Sequence, residues 1–224
     1  MAKKRVKRRK LKRKNFLIFV IIIIIIIGSL MVLNNIKITN INVSGNTLYS
    51  EWEIIQKAGL DDYPSSLQNL SGTIENRLEE DPYIKKANVT KNFLTKVNID
   101  ITENLPLFYY VPERSTILAD KTKTKDNFPV PTVINYIPDK LYARFLKAME
   151  TMDYKIVKRI SEIKYDPNDV DEERFLLTMN DGNYVYLTLK TFDKINNYLD
   201  IIKEFNNKKG VLYLDSGEYF EVLE

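Results

Sequence analysis

The chain of 224 residues contains no cysteine, no histidine and only seven glycines. Without cysteine it forms no disulfides and carries no lipid-modified N-terminal cysteine. Without histidine and cysteine it cannot assemble a Ser-His-Asp triad, a Cys-His nucleophile pair or most kinds of zinc site. It also lacks the glycine-rich GxGxxG and GxxxxGK motifs that bind nucleotide phosphates. Common enzyme classes are therefore excluded, and the stability of the fold must come from ordinary hydrophobic cores.

A long apolar run occupies residues 16–33 and includes seven consecutive isoleucines at residues 21–27. Eighteen residues of helix extend about 27 Å, and the hydrocarbon core of a bilayer is about 30 Å thick. Backbone amides in lipid must be paired within the segment, so the run must be helical despite the β-preference of isoleucine. The sequence therefore predicts a transmembrane helix over residues 16–33.

A basic tail precedes this helix. Residues 3–14 hold ten of the 34 Lys and Arg residues, which leaves 24 basic against 30 acidic residues in the rest of the chain. Lysine and arginine beside a span stay in the cytoplasm. We therefore expect a cytoplasmic tail over residues 1–15, a single pass through the cell membrane and extracellular C-terminal domains, whose negative charge is atypical of nucleic-acid binding.

The N-terminal region has two alternative interpretations. The basic tail alone is also typical of a nucleic-acid arm or a localisation signal, but its place directly before a span favours orientation. A cleaved signal peptide is the other alternative. The apolar run is longer than a usual signal-peptide core, and no small-x-small cleavage site follows it, so an uncleaved signal-anchor is favoured.

Residues 36–104 show the pattern of a βααββ module. Residues 36–43 alternate apolar and polar side chains, as in a half-buried strand. Ser50 and Glu53 form a capping-box pattern that predicts a helix ending near Gly59. A second helix, with Leu67, Leu70, Ile74 and Leu78 at helical spacing, stops before Pro82, and two strands follow. The side chains expected in the core of the module are Ile41, Val43, Ile54, Ile55, Leu70, Ile74, Leu78, Ile84, Val89 and Ile99.

Residues 105–224 are dominated by strands with helices between them. Apolar alternation predicts strands at residues 105–111, 116–119, 156–163, 175–179, 184–189, 211–214 and 219–222. Polar residues 121–131 predict a loop, and amphipathic patterns predict helices over residues 139–152 and 192–205. The predicted fold class is α+β: a transmembrane helix, the βααββ module, and a β domain of mixed sheet with flanking helices.

Several short motifs match a known family. In the module they are Ile41-x-Val43-x-Gly45-Asn46, Ala58-Gly59-Leu60, Asp81-Pro82-Tyr83-Ile84 and the strand that ends in Glu103-Asn104-Leu105-Pro106. In the β domain they are Tyr184-Val185-Tyr186-Leu187, Lys194 and Gly210-Val211-Leu212-Tyr213-Leu214-Asp215. With the serial order of anchor, single POTRA module and β domain, the chain resembles the FtsQ/DivIB cell-division proteins over nearly its whole length.

The resemblance implies a non-enzymatic scaffold of the division machinery with no cofactor. Its implied partners are FtsL-type and FtsB/DivIC-type bitopic coiled-coil proteins, with the septal peptidoglycan synthase complex as an indirect partner and the septum as location. Since an open sheet edge accepts a partner strand, we predict partner binding at the final two strands, with residues 219–222 as the edge. The predicted partner-binding residues are Val211, Leu212, Tyr213, Leu214, Tyr219, Phe220, Glu221 and Val222.

Other functions remain open at this point. A membrane-anchored cell-wall enzyme would need paired carboxylates, but Glu79-Glu80 and Asp61-Asp62 are adjacent residues whose side chains point apart. The acidic run at residues 169–173 is a candidate divalent-metal site or a solvated loop. A polypeptide-transport protein would carry several POTRA copies or a barrel. Tyr219 and Phe220 are also candidates for residues that only seal the core.

Overall fold

A computed structural model describes residues 13–206 and 208–223. The chain divides into two compact units, Met1–Glu103 and Asn104–Glu224. Most of the basic tail predicted at residues 1–15 lies outside the described residues. The first described element is helix α1 (Arg13–Asn34), whose apolar side chains are exposed. Within residues 13–206 and 208–223, α1 is the one helix long and apolar enough to cross a membrane.

The βααββ module forms a three-stranded sheet covered by two helices. Its elements are β1 (Asn40–Ser44), α2 (Glu51–Lys57), α3 (Ser71–Glu79), β2 (Ile84–Asn92) and β3 (Lys96–Glu103). The strand order is β1-β3-β2; β3 pairs parallel with β1 and antiparallel with β2. The helix α2 begins at the predicted capping box, where hydrogen bonds from the Ser50 amide and hydroxyl lower the pKa of Glu53. The predicted element order is confirmed.

The core of the module matches the prediction except at one residue. Seven of the ten expected side chains are buried: Val43, Ile54, Ile74, Leu78, Ile84, Val89 and Ile99. Ile41 and Ile55 are half-buried and pack against this core. The prediction that Leu70 is buried is wrong, because its side chain is 59% exposed. It occupies the N-cap of α3 with extended backbone dihedrals, so its spacing from Ile74 does not place it on the helix face.

The C-terminal unit is a nine-stranded mixed sheet with helices beside it. Its strands are β4 (Pro106–Tyr110), β5 (Ser115–Leu118), β6 (Lys123–Thr124), β7 (Thr132–Val133), β8 (Ile160–Tyr165), β9 (Arg174–Met179), β10 (Tyr184–Thr188), β11 (Gly210–Tyr213) and β12 (Tyr219–Val222). Its α-helices are α4 (Asp139–Glu150), α5 (Tyr154–Val157) and α6 (Tyr198–Glu204). The strand order is β12-β11-β10-β9-β8-β7-β4-β5-β6. The α+β fold class predicted from the sequence is confirmed.

Three predicted elements of this unit need correction. The strand expected at residues 156–163 begins only at Ile160, because Asp153 caps the short helix α5 by accepting a hydrogen bond from the Lys155 amide. The helix expected at residues 192–205 is a 3-10 helix followed by α6. A 3-10 helix has three residues per turn, so the apolar face shifts and Leu199 is left exposed. The expected loop at residues 121–131 contains the two-residue strand β6.

Candidate functional site

The two final strands hold different positions in the sheet. β11 lies between β10 and β12, with which it pairs in parallel and antiparallel fashion respectively. β12 is the edge strand of the nine-stranded sheet, and its side chains are mostly exposed. The structure thus places residues 219–222 at an open edge and residues 210–213 inside the sheet.

Backbone direction decides which groups of β12 are open to a partner. The Leu223 amide donates to the Lys209 carbonyl across the β11–β12 pair at 3.0 Å. Because successive residues of a strand turn their backbone groups to opposite sides, Tyr219 and Glu221 also direct theirs toward β11. The N–H and C=O groups of Phe220 and Val222 therefore face the open edge. These two residues supply the backbone bonds for any added strand.

A ladder of stacked rings crosses one face of the sheet and ends at this edge. The Tyr186 and Tyr213 ring centroids lie 5.5 Å apart, and those of Tyr213 and Tyr219 lie 4.5 Å apart with nearly parallel planes. The Tyr213 hydroxyl donates to Glu221, and burial together with this hydrogen bond raises the pKa of Tyr213. Tyr219 is 51% exposed. The last ring of the ladder is therefore free to stack on a ring or apolar group placed beside β12.

Arg174 anchors the inner end of this ladder. Its guanidinium lies 3.7 Å from the centroid of the Tyr186 ring and is paired with Asp215 at 2.7 Å and Asp166 at 3.0 Å. Burial alone would lower the pKa of Arg174, but the hydrogen bond and charge of Asp215, together with Tyr186 and Asp166, more than offset the effect of burial, and the pKa is raised. The arginine remains charged and holds both Tyr186 and the turn that precedes β12.

The other face of the edge borders a small cleft. It has a volume of about 190 Å³ and lies between β12 and the end of α6, where it is lined by Ile201, Phe205, Leu212 and Phe220 among others. The Phe205 and Phe220 rings lie 4.8 Å apart. Phe220 packs against the core of the unit, so the sealing role considered from the sequence applies to Phe220 but not to Tyr219. A strand beside β12 would have an aromatic surface on one face and this cleft on the other.

A buried polar network fixes the start of β11. The Gly210 amide donates to the Asn183 side-chain carbonyl at 2.7 Å, and the Asn183 amide donates to the Tyr198 hydroxyl at 2.8 Å. That hydroxyl donates to Asp181, and burial is the main cause that raises the pKa of Tyr198. The Asp181-Gly182 turn between β9 and β10 therefore also positions the strand beside the edge.

Several of the acidic residues considered as catalytic or metal-binding candidates are engaged in structural contacts. Glu79 accepts a hydrogen bond from the Ala87 amide at 2.9 Å. In the acidic run, Glu172 pairs with Lys140 and Glu173 pairs with Arg144. Within the described part of the chain, no group of three or more acidic side chains is placed to hold a metal ion. These carboxylates therefore support the fold where the structure places them.

Sequence reasoning identified the edge but missed its supports. Tyr186 was recognised only as part of a family motif, and Arg174 and the α6 side of the cleft were not singled out. Part of the signal was present, since Tyr186, Tyr213 and Tyr219 lie one on each of β10, β11 and β12. Recognising the ladder required the registers Tyr186↔Tyr213 and Tyr213↔Tyr219, which depend on long-range pairing.

Comparison with known proteins agrees with this architecture. The model of the FtsQ-type POTRA domain matches residues 36–104. The cell division protein DivIB of Bacillus subtilis strain 168 is 30% identical over 196 residues, which cover 83% of this chain and 74% of that protein. DivIB of Listeria monocytogenes serovar 1/2a is 29% identical over 198 residues, covering 83% of this chain and 72% of the relative.

A solved structure of a division protein is also similar to part of the chain. It is the major extracytoplasmic domain of the trans isomer of the bacterial cell division protein DivIB from Geobacillus stearothermophilus. The match has a TM-score of 0.38 and 22% identity, and it covers 47% of this chain and 97% of that one. The family resemblance predicted from the sequence is confirmed by the B. subtilis relative and the POTRA match, and the chain belongs to the DivIB family of cell division proteins.

Proposed function

We propose that this chain is a non-enzymatic scaffold of the division machinery that binds bitopic partners by strand addition at β12. The observation that carries the proposal is the open edge of β12, where the backbone groups of Phe220 and Val222 point away from β11. An added strand gains backbone hydrogen bonds from such an edge, and pockets on its two faces select its side chains. The edge offers both kinds of contact.

The geometry defines the chemistry of the partner segment. On one face, a partner residue beside Tyr219 would extend the ring ladder, which favours an aromatic or branched apolar side chain. On the other face, the adjacent residue would enter the cleft between β12 and α6, whose apolar residues favour an aliphatic side chain although Glu204 and Glu218 also line it. A short amphipathic strand outside the membrane, in an FtsL-type or FtsB/DivIC-type protein, has this chemistry in our proposal.

The membrane arrangement is part of the proposed function. The basic residues before α1 would keep the N-terminus in the cytoplasm, and the βααββ module and the C-terminal unit would lie outside the cell at the division septum. A scaffold so placed would hold small single-span partners near the septal peptidoglycan synthase. The proposal rests on the DivIB relatives for the division role and on the open edge for the mode of binding.

The structure indicates where a proline tests strand addition. The amide of Glu221 faces β11, so a proline there would also break the β11–β12 pair. Val222→Pro instead removes a donor that faces the open edge, and the residue is 42% exposed. We expect Val222→Pro to abolish co-purification of the two bitopic partners from solubilised membranes, while the thermal unfolding midpoint stays nearly unchanged.

Two control variants separate backbone pairing from other effects. Val222→Ser removes the apolar side chain but keeps the donor, so it should weaken partner capture only partly. Lys123→Pro places a proline in β6, at the opposite edge of the same sheet, and should leave capture intact. Full capture by Val222→Pro would refute strand addition at this edge, and equal loss in Lys123→Pro would show that the effect is not local.

A further inference from the structure

The end of the βααββ module nearest to α1 carries exposed apolar side chains that its core does not use. Phe93 and Leu94 form the tip of the β2–β3 hairpin and are 92% and 42% exposed. Tyr63, in the loop between α2 and α3, is 55% exposed. We call these three residues the membrane-facing tip, because the register of the sheet places them beside the segment that leaves α1.

The parallel pairing of β1 with β3 fixes the position of the hairpin. Asn40 lies opposite Lys96, and one residue earlier the Thr39 amide donates to the Thr95 carbonyl at 3.0 Å. The hairpin turn follows directly, because Asn92 pairs with Lys96 across β2 and β3. The turn that contains Phe93 and Leu94 therefore lies at the end of the sheet next to Thr39, which follows the end of α1 at Asn34 by five positions.

The loop that holds Tyr63 is tied to the same segment from its other side. The Ile38 amide donates to the Pro64 carbonyl at 3.0 Å, and the Ser66 amide donates to the Ile36 carbonyl at 2.8 Å. The Asn34 side-chain oxygen accepts hydrogen bonds from Ser65 at 3.0 Å and from Gln68 at 3.1 Å. Both loops therefore flank the few residues that connect α1 to the sheet.

The connection between α1 and the sheet is short and keeps the tip close to the membrane. Five residues span at most about 17 Å, and the headgroup layer on each side of the hydrocarbon core is about 5–8 Å thick. The apolar run of α1, about 27 Å long as a helix, is slightly shorter than a core of about 30 Å. With so short a connection, the end of the sheet that carries the tip is the part of the module nearest to the end of α1.

The backbone of the tip supports a role beyond folding. Phe93 and Tyr63 have positive φ angles of 55° and 49°, a conformation that favours glycine or asparagine and costs about 1–2 kcal/mol for other residues. Since Phe93 is almost fully exposed, burial in the module does not offset this cost. Bulky apolar side chains held in a strained, exposed conformation are a feature of functional contacts.

We propose that the membrane-facing tip inserts into the headgroup boundary of the bilayer, on whichever side of the membrane the module lies. Aromatic side chains prefer this boundary. Lys37 and Lys96 are exposed at the same end and would attract lipid phosphates, whereas the negative charges of Asp61 and Asp62 would repel them. The contact with lipid therefore depends on the apolar side chains. The module is then attached to the membrane at two points, α1 and the tip, which limits its rotation about α1.

Depth-resolved quenching of the full-length chain tests this contact. Trp52 is the single tryptophan, so the double variant Trp52→Phe, Phe93→Trp carries one reporter at the tip. It would be reconstituted into vesicles of phosphatidylcholine and phosphatidylglycerol whose acyl chains are brominated near the headgroup. We expect a blue-shifted emission and loss of its intensity relative to vesicles of the same lipids without bromine.

A matched control uses the opposite end of the same sheet. Lys85 is exposed at the start of β2, eight residues and about 26 Å from the tip at about 3.3 Å per residue. The variant Trp52→Phe, Lys85→Trp should emit as in water and show no quenching. A variant with tryptophan at Leu94 guards against a local disturbance at Phe93. These vesicles contain no protein other than the reporter chain. If neither tip reporter is quenched more than the Lys85 reporter in them, the proposal is overturned and the tip does not bind lipid.

Discussion

Glu103 supports the βααββ module through a contact that a single substitution removes. Its carboxylate is buried at the end of β3 and accepts hydrogen bonds from three backbone amides of the loop after β1. The distances are 2.7 Å to Thr47, 2.6 Å to Leu48 and 3.1 Å to Tyr49. Glu103 is the first residue of the family motif Glu103-Asn104-Leu105-Pro106. The structure shows that the Glu103 carboxylate holds the loop that leads into α2.

The size of the effect follows from the number of bonds. A hydrogen bond to a charged group contributes about 1.5–3 kcal/mol, and a buried donor left unpaired costs about 1–3 kcal/mol. Because the three bonds share one loop, their effects are not additive, and water reaches part of the loop. We expect Glu103→Ala to lower the free energy of unfolding of the module by about 3–5 kcal/mol. Glu103→Gln keeps one acceptor and should cost about 1–3 kcal/mol.

The single tryptophan allows the measurement to be made on the full-length chain. Trp52 lies in α2, so its fluorescence during urea unfolding in detergent reports on the module rather than on the C-terminal unit. Glu80→Gln makes the same chemical change at an exposed site and should alter stability by less than about 0.5 kcal/mol. Hydrogen exchange at Thr47, Leu48 and Tyr49 should quicken only in the Glu103 variants. Unchanged exchange and stability in Glu103→Ala would refute this account of the loop.

Two further predictions concern the module and the membrane arrangement. Ile74 is fully buried, so Ile74→Ala should cost about 2–5 kcal/mol in the Trp52 unfolding assay, and a cost below about 0.5 kcal/mol would show that α3 does not pack as described. For topology, a reporter that is active only outside the cytoplasm should work when fused after Glu224 and fail when fused at Lys3; the reverse activity would refute the proposed orientation.

Local signals predicted the module well because its elements carry their own boundaries. The capping box at Ser50 and Glu53 and the positive φ of Gly59 appear where the sequence indicated them. The error at Leu70 has a physical cause. Apolar spacing of four residues is typical of a helix face, but it does not show whether the first residue belongs to the helix or precedes it.

The C-terminal unit was harder to predict because several of its elements depend on tertiary contacts. The strand β7 has only two residues and pairs parallel with both β4 and β8, so alternation along the chain could not reveal it. Residues 154–157 have buried apolar side chains suited to a strand or a helix, and the cap at Asp153 selects the helix. The pairing of β7 is a long-range contact that periodicity along the chain does not show, whereas the Asp153 cap is a local signal next to the apolar residues that it directs into a helix.

At the candidate site, too, the local sequence predicts some features, and others depend on long-range strand register. The aromatic residues Tyr219 and Phe220 and the family resemblance were enough to favour residues 219–222 as an edge. The sequence could not show which amides face outward, because that depends on how β12 pairs with β11. The bond from Leu223 to Lys209 settles this and assigns the open donors to Phe220 and Val222. Glu221 carries an exposed side chain but an amide that faces inward, so side-chain exposure does not identify the backbone groups that an added strand would use.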